Sequence, residues 1–484
     1  MAQPTTSGVL SHMLFEEPLP FIKDYVNKLN DAIKIYCPER QLSLTQQAWL
    51  SFCVMAIIVT NSVCWSRFQK AGIGRYGIGA LSWMFRKSGI PWEILLQLSV
   101  RIILQCYGIT EGNIGIDDTD KKRSKSTTKI SYVHKIKDKP SGGYIMGQSI
   151  VFLVLITQKV TIPVGFSFHM PDPALKAWHK MDCTLKKKGM KKELRPAKPD
   201  RDPNYPTIPQ IALRLLEQFK KNHPDIRIRC IFADALYGTR EFVDHASGLF
   251  TGVQVISQIR ANQLVRFRNK NRTVEKYFAA FTGIENTIRV RGDKPMSVIV
   301  GSARLFVKAH GKRRFVIALK YEGEEDYRYI IASDMTWRTL DIVEAYTLRW
   351  LVEVFFQDWK GNEGWGKLTK HPGEEGSSRG LILSLMVDHS LLFHPAQLAR
   401  IENKLPAFTV GSLTEKIKVE GLLSTFEKII MSDTPIERFK EFAKALEKDV
   451  IHLYPSKKQM VSLCSTVVGL QKFESITSQG IQQS

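Results

Sequence analysis

Tyr346, Arg349, Glu353 and Lys360 recur at helical spacing within Asp341–Gly361. At about 100° per residue they fall within a sector of about 60° on one face. A single helix of about six turns is expected there. Its carboxylate could hold a hard cation, and its guanidinium and ammonium could hold phosphate. The phenol of Tyr346 could donate a hydrogen bond to a phosphate oxygen or stack on a base. The same spacing also describes a solvated polar stripe, because Ile342, Val343, Leu351, Val354 and Phe355 give the helix an apolar side.

Two upstream acids weigh against the plain stripe. Asn113–Asp118 reads as a strand in which Ile114, Ile116 and Asp118 alternate onto one face. Ile226–Phe232 reads as another strand, followed by Ala233-Asp234. A mixed sheet in the order 3-2-1-4-5 would set these two strands side by side, and a later helix could bring Glu353 alongside. Three carboxylates so placed suit Mg²⁺, with Mn²⁺ able to substitute, and two ions about 4 Å apart would serve phosphodiester displacement. Taken singly, Asp118 can simply end a strand, Asp234 can open a turn, and Glu353 can belong to a surface ion pair. No serine or cysteine has a convincing partner base.

The surrounding chain is strongly basic. Its 69 lysines and arginines against 47 acids give a net charge of +22 over 484 residues, which fits a polyanionic partner, nucleic acid first. The longest apolar run, Ile150–Ile156, is far short of the about 20 residues of a membrane span, and the N-terminal stretch does not read as a signal peptide. Cys37, Cys53, Cys64, Cys106, Cys183, Cys230 and Cys464 contain no CxxC pair and read as free thiols in a reducing compartment.

Leu14–Tyr107 is helical in pattern. Leu44–Val59 follows a cap at Ser43 or Thr45, and further helices are expected at Asn61–Lys70 and Pro91–Cys106. Gly72, Gly74 and Gly77 satisfy G-x-G-x-x-G formally, but no strand precedes them, so a helix–loop–helix link is expected instead. Arg67, Lys70, Arg75, Arg86 and Lys87 near these turns could serve a DNA-binding head or a plain scaffold. After Asp118 a basic loop is expected, carrying Lys121, Lys122, Arg123, Lys125 and Lys129. Strands follow at Tyr144–Thr157 and Val160–Phe168. Pro171–Pro206 reads as a lysine-rich connection, either solvated or tracking phosphates. After the helix Ile208–Asn222, the strand at Ile226, the helix Thr239–Ser247 and the strand Val253–Ile259, Gln263–Asp334 reads as an all-β insertion.

Tyr346-Thr-Leu-Arg349-Trp350-Leu-Val-Glu353-Val-Phe-Phe-Gln-Asp-Trp359-Lys360 resembles the Y-x2-R-x3-E-x6-K signature of DDE-type insertion-sequence transposases. Ile116-Asp117-Asp118-Thr119 and Ile231-Phe-Ala-Asp234-Ala-Leu-Tyr237-Gly238 resemble the two aspartate motifs of that family, the aspartate before threonine being the catalytic one. The resemblance covers about Asn113 to Lys360. It implies an RNase H-like α/β core, with Asp118, Asp234 and Glu353 as catalytic metal ligands. It also implies Mg²⁺-dependent cut-and-paste transposition through a hairpin intermediate, in the nucleoid-associated cytoplasm of a prokaryote. The implied partners are double-stranded DNA, as terminal inverted repeats and as target, and a second copy of the chain in a synaptic homodimer; no membrane is involved.

In this organisation residues 1–110 form a helical DNA-binding domain and 111–262 the first part of the core. Residues 263–336 form the β insertion, 337–375 the second part of the core, and 376–484 a helical region that could dimerise. DNA contacts are expected from Tyr346, Arg349 and Lys360, and from Lys121, Lys122 and Arg123. A displaced base is expected to stack on Tyr329, Trp337 or Trp350. The competing readings are an RNase H-like nuclease that never joins strands and a non-catalytic DNA-binding regulator derived from a transposase.

Overall fold

The computed structural model describes residues 14–447 apart from 124–126, 128, 139–140, 291–293, 368–370 and 372. Lys125 and Cys464 lie outside the described residues, and the six described cysteines are free. Residues up to Met431 form one compact unit, and a second begins at Ser432.

The first unit opens with five helices: α1 (Pro20–Tyr36), α2 (Leu44–Thr60), α3 (Trp65–Ala71), α4 (Ile78–Lys87) and α5 (Trp92–Cys106). Helix α2 starts where Ser43 accepts from the Gln46 amide and Gln46 returns a bond to the Ser43 amide. Trp49 through Val59 are buried without a break, so α2 is a core helix, apolar on every side. No single described helix is long and apolar enough to cross a membrane. The glycine segment is the link between α3 and α4.

The sheet then begins. Strand β1 (Glu111–Arg123) is followed by β2 (His134–Lys137), β3 (Tyr144–Ile156) and β4 (Thr161–His169). Helices α6 (Pro173–Lys187) and α7 (Ile208–Asn222) lead to β5 (Arg227–Ala233), α8 (Arg240–Leu249) and β6 (Gln254–Ile259). The core order is β4-β3-β1-β5-β6, with β4–β3 and β3–β1 antiparallel and β1–β5 and β5–β6 parallel. This is the expected 3-2-1-4-5 arrangement, with β2 added beyond β3.

Two expectations along this stretch need correction. Lys121, Lys122 and Arg123 belong to β1, which stays paired with β3 as far as Arg123 and Met146. The Pro171–Pro206 connection contains a full helix, α6. Asp172 caps it by accepting from the amides of Ala174 and Leu175, and Pro173 sits in its first turn.

The insertion comprises β7 (Leu264–Phe267), β8 (Lys270–Thr273), α9 (Val274–Ala280), β9 (Ile284–Val290), β10 (Lys294–Val307), β11 (Lys312–Tyr321) and β12 (Arg328–Ala332). It is not all β, because Thr273 caps the short helix α9. Strand β12 pairs with β6, so the insertion prolongs the core sheet to twelve strands.

The expected six-turn helix is two helices, α10 (Thr339–Thr347) and α11 (Trp350–Asn362). At the junction the Leu348, Arg349, Leu351 and Val352 amides each bond to a carbonyl three residues back. This is a 3₁₀ link, which turns the chain by about 120° per residue rather than 100°. Helix α11 lies on the sheet through Val352, Phe355, Phe356 and Trp359. Phe152 of β3 meets Phe355, Phe356 and Trp359 at ring separations of 5.7, 5.6 and 5.0 Å. Each such buried side chain contributes roughly 1.5–3 kcal/mol, which fixes the helix that carries Glu353. Close contact with β1 depends on Gly115, where an added Cβ would lie 2.3 Å from Val352 Cγ2.

Helices α12 (Gly373–Leu391), α13 (Pro395–Glu402) and α14 (Val410–Ile430) complete the first unit, with α12 packed on α2 and α5. The second unit contributes α15 (Pro435–Ala445) to the described residues.

Beyond the end of α11, Glu363 is fully buried near Asp388 of α12. Burial and the neighbouring acids push both carboxyls up, Asp388 to about 7 and Glu363 well above the usual carboxylate range. The folded state therefore retains protons that the unfolded chain releases near pH 4, and stability from this pair is lost as pH rises from about 4 to 7. Asp388→Asn is expected to flatten the decline of Tm between pH 5 and 8, by the equivalent of about 2–4 kcal/mol, as measured by thermal melts across that range.

Candidate active site

The C-terminal halves of β1 and β5 bring the first acids together. Ile116 pairs with Ala233 in the parallel ladder, so Asp117 and Asp234 are the next residues on the two adjacent strands. Asp234 shapes its own turn by accepting from the Leu236 amide, and its carbonyl accepts from Ser257 Oγ.

Strand alternation then sorts the face. Gly115, Asp117, Thr119 and Lys121 share one side of β1, the side on which α11 lies. Arg349 Nη1 reaches Asp117 Oδ2 at 3.4 Å, and Arg349 Nη2 reaches Glu353 Oε1 at 2.5 Å. Lys360 Nζ donates to Thr119 Oγ1. Burial, followed by the charge of Asp234, pushes the Asp117 carboxyl up to about 6, and Glu353 adds to the rise. Arg349 and the Asp118 amide, which donates to Asp117 Oδ1 at 2.8 Å, oppose it.

Asp118 does share the strand face of Ile114 and Ile116, but that is the face turned away from α11. The Tyr237 hydroxyl is driven well above the ordinary phenol value by burial first, then by the charges of Asp118, Asp117 and Asp234, so it lies within reach of all three acids. The acid that α11 meets is Asp117. Residue type alone does not separate two adjacent aspartates. The available signal was Gly115, the one position in Ile114–Asp118 without a side chain, which marks the face a helix approaches closely.

Other expected contacts are redistributed by burial. Tyr346 is 3% exposed, so it cannot stack on a base; its hydroxyl lies beside Arg349 and Gln258, and burial pushes it up to about 12. Tyr329 is 8% exposed, within β12 between β11 and β6, with Phe278 stacked on it. Trp337 lines a cleft with Lys220, Arg227 and Asp334 at the N-terminal ends of β5 and β6, opposite Asp234. Trp350, at the start of α11, is 54% exposed. Lys121 donates to the Trp365 and Gly366 carbonyls at 2.6 and 2.7 Å, and Arg123 donates to Gln148 Oε1. Lys122 is exposed and paired with Asp138 at 2.8 Å.

Among the described residues no three acidic, histidine or cysteine side chains close on one point as they stand. The donor chemistry nevertheless suits a divalent hard cation. Asp117, Asp234 and Glu353 offer only carboxylate oxygens, and their mutual repulsion at Asp117 is offset in part by one guanidinium.

The sheet order, with one acid in the middle of β1 and another just past the end of the adjacent β5, defines an RNase H-like core. Two family models make the class specific: "DDE superfamily endonuclease" matches residues 77–280, and "Transposase DDE domain" matches residues 206–387. Over residues 77–387, which the two models cover between them, the chain is of the DDE transposase type. Divalent metal ions are general in that family. A solved structure of piggyBac transposase in a synaptic complex with hairpin DNA is 11% identical, covering 93% of this chain and 89% of that one at a TM-score of 0.41. No curated protein matches the chain.

Proposed function

We propose that the protein cuts and joins DNA at the ends of a mobile element, with Asp117, Asp234 and Glu353 as its catalytic carboxylates. The observation that carries this reading is the meeting of Asp117, Arg349 and Glu353 on one sheet face, with Asp234 on the adjacent strand end. Asp117 takes the place that the sequence motif assigns to Asp118. The three acids would hold Mg²⁺ or Mn²⁺, in two ions, which supply Lewis-acid stabilisation and an activated oxygen nucleophile.

The protein's own groups orient the DNA. Arg349 is anchored by two carboxylates and buried against Tyr346, so its guanidinium is held in place rather than mobile. Lys360 lies one helical face further along and can meet a phosphate by releasing Thr119. Trp350 offers an exposed ring on which an unstacked base can rest. Hydrolysis of one strand leaves a 3′-OH, which attacks the opposite strand to form a hairpin. A second hydrolysis reopens the hairpin, and the same 3′-OH then joins target DNA. Arg67, Arg86 and Lys87, exposed on α3 and α4, supply further phosphate contacts from the N-terminal helices, and a homodimer would hold two ends together.

Product analysis tests the sequence of steps. Labelled element-end DNA incubated with the protein and Mg²⁺ is expected to give a nick, then a hairpin, then joined product. Nicks without hairpin or joined strands would instead establish a nuclease.

A further inference from the structure

We propose that residues 172–202 form a basic arm that grips the sugar–phosphate backbone of duplex DNA next to the active site. The proposal rests on the reading that this site acts on DNA.

The arm leaves the sheet at the active-site end. Strand β4 runs parallel to β1 through the intervening β3, and its last residue, His169, pairs with Ser149, which pairs with Asp120. The root of the arm is thus three residues along and two strands across from Asp117, about 10 Å in each direction. Lys176 acts by charge on His134, and Arg201 on His169, which ties both ends of the arm to this row.

The arm is built to hold a shape while burying little. Between Asp172 and Asp202 only Asp172 and Leu175 are buried. Asp172 closes the base, capping α6 through one oxygen and accepting from the Asp202 amide at 3.0 Å through the other. Further out, Arg195 pairs with Asp182 at 2.8 Å, and Trp178 Nε1 donates to the Pro196 carbonyl at 2.8 Å.

Its charge is arranged on the outward side. Ten basic residues stand against three acidic ones between Pro173 and Arg201, a net +7. On α6 the inward residues Leu175, Trp178, Asp182 and Leu185 occupy one side. Lys176, Lys180 and Lys187 fall within about 40° of one another on the opposite side, and all three are exposed. The helix is about 22 Å long, the length of six or seven base pairs at about 3.4 Å each. The lysine stripe itself, from Lys176 to Lys187, is about 17 Å long, about five base pairs, and a rigid stripe of that length, rooted on the same sheet as the catalytic acids, fits the phosphate backbone of a duplex lying across the site.

The test uses full-length protein with Glu353→Gln, so that binding is measured without cleavage. A 30-base-pair duplex is titrated from 50 to 300 mM salt. Combined Lys176→Gln, Lys180→Gln and Lys187→Gln are expected to reduce the slope of log K against log salt by about 2–3, near 0.9 per phosphate contact, and to weaken binding tenfold or more at the lowest salt. Lys220→Gln, Lys221→Gln and Arg227→Gln remove the same charge at the other end of the sheet and are expected to leave the slope unchanged. An unchanged slope in the arm variant, or equal losses in both variants, overturns the arm. If wild-type protein cuts no DNA while the arm variant still loses slope, the enzymatic reading fails and the arm stands.

Discussion

Glu353→Gln protein is expected to bind element-end DNA and fail to nick it, with a loss of about 10³-fold or more. The substitution keeps the size of the side chain and an oxygen able to accept from Arg349, so α11 stays seated by Phe355, Phe356 and Trp359 on Phe152. What it removes is one negative charge from a set of three. Metal-assisted stabilisation of a phosphodiester transition state is worth several kcal/mol, and each 1.36 kcal/mol is tenfold in rate. Glu353 is 38% exposed at its side chain, so melting should change little. DNA affinity should hold or rise slightly, because an acid beside the DNA has been neutralised. Nicking within tenfold of wild type would remove Glu353 from the catalytic set, and loss of binding together with nicking would point to a folding defect. The regulator reading predicts no metal-dependent nicking in the wild-type protein to begin with.

The second large effect separates adjacent residues. Asp117→Asn is expected to lose nicking to the same degree as Glu353→Gln and to weaken Mn²⁺ binding in calorimetry. Asp118→Asn is expected to keep nicking within about tenfold of wild type. The reason is directional: one residue of strand moves a side chain to the other face of the sheet. Asp117 faces Arg349 and Glu353, whereas Asp118, the next residue of the strand, points to the other face. Equal losses in both variants would mean that the two acids share the site. The reverse pattern would return the role to Asp118, as the motif suggests, and would require β1 to shift by one residue against α11 when DNA binds.

The sequence by itself determined the class of fold and the elements of the site. Alternating runs at Asn113, Tyr144, Val160, Ile226 and Val253 specify five core strands, and the helices between them leave few ways to connect these into one sheet. The 3-2-1-4-5 order is one of these, the one that the resemblance to the transposase motifs implies, and it brings the first strand beside the one ending before Asp234. The spacing of Arg349, Glu353 and Lys360 was equally legible, because a local helical period survives in one dimension.

Facing and depth were decided only in three dimensions. Two aspartates in a row carry no mark of which one meets a helix some 230 residues later; Val352 packed over Gly115 supplies it. Tyr346 and Tyr329 read as available aromatics until packing buried them. The 3₁₀ link at Leu348–Arg349 breaks what periodicity reads as one helix, since a tightened turn leaves the hydrophobic pattern nearly unchanged. The lysine-rich connection reads as irregular chain, solvated or tracking phosphates, because its charge masks a helix that Asp172 caps and that few buried residues announce. In each case the missing information was the identity of a distant neighbour, which composition and local spacing do not encode.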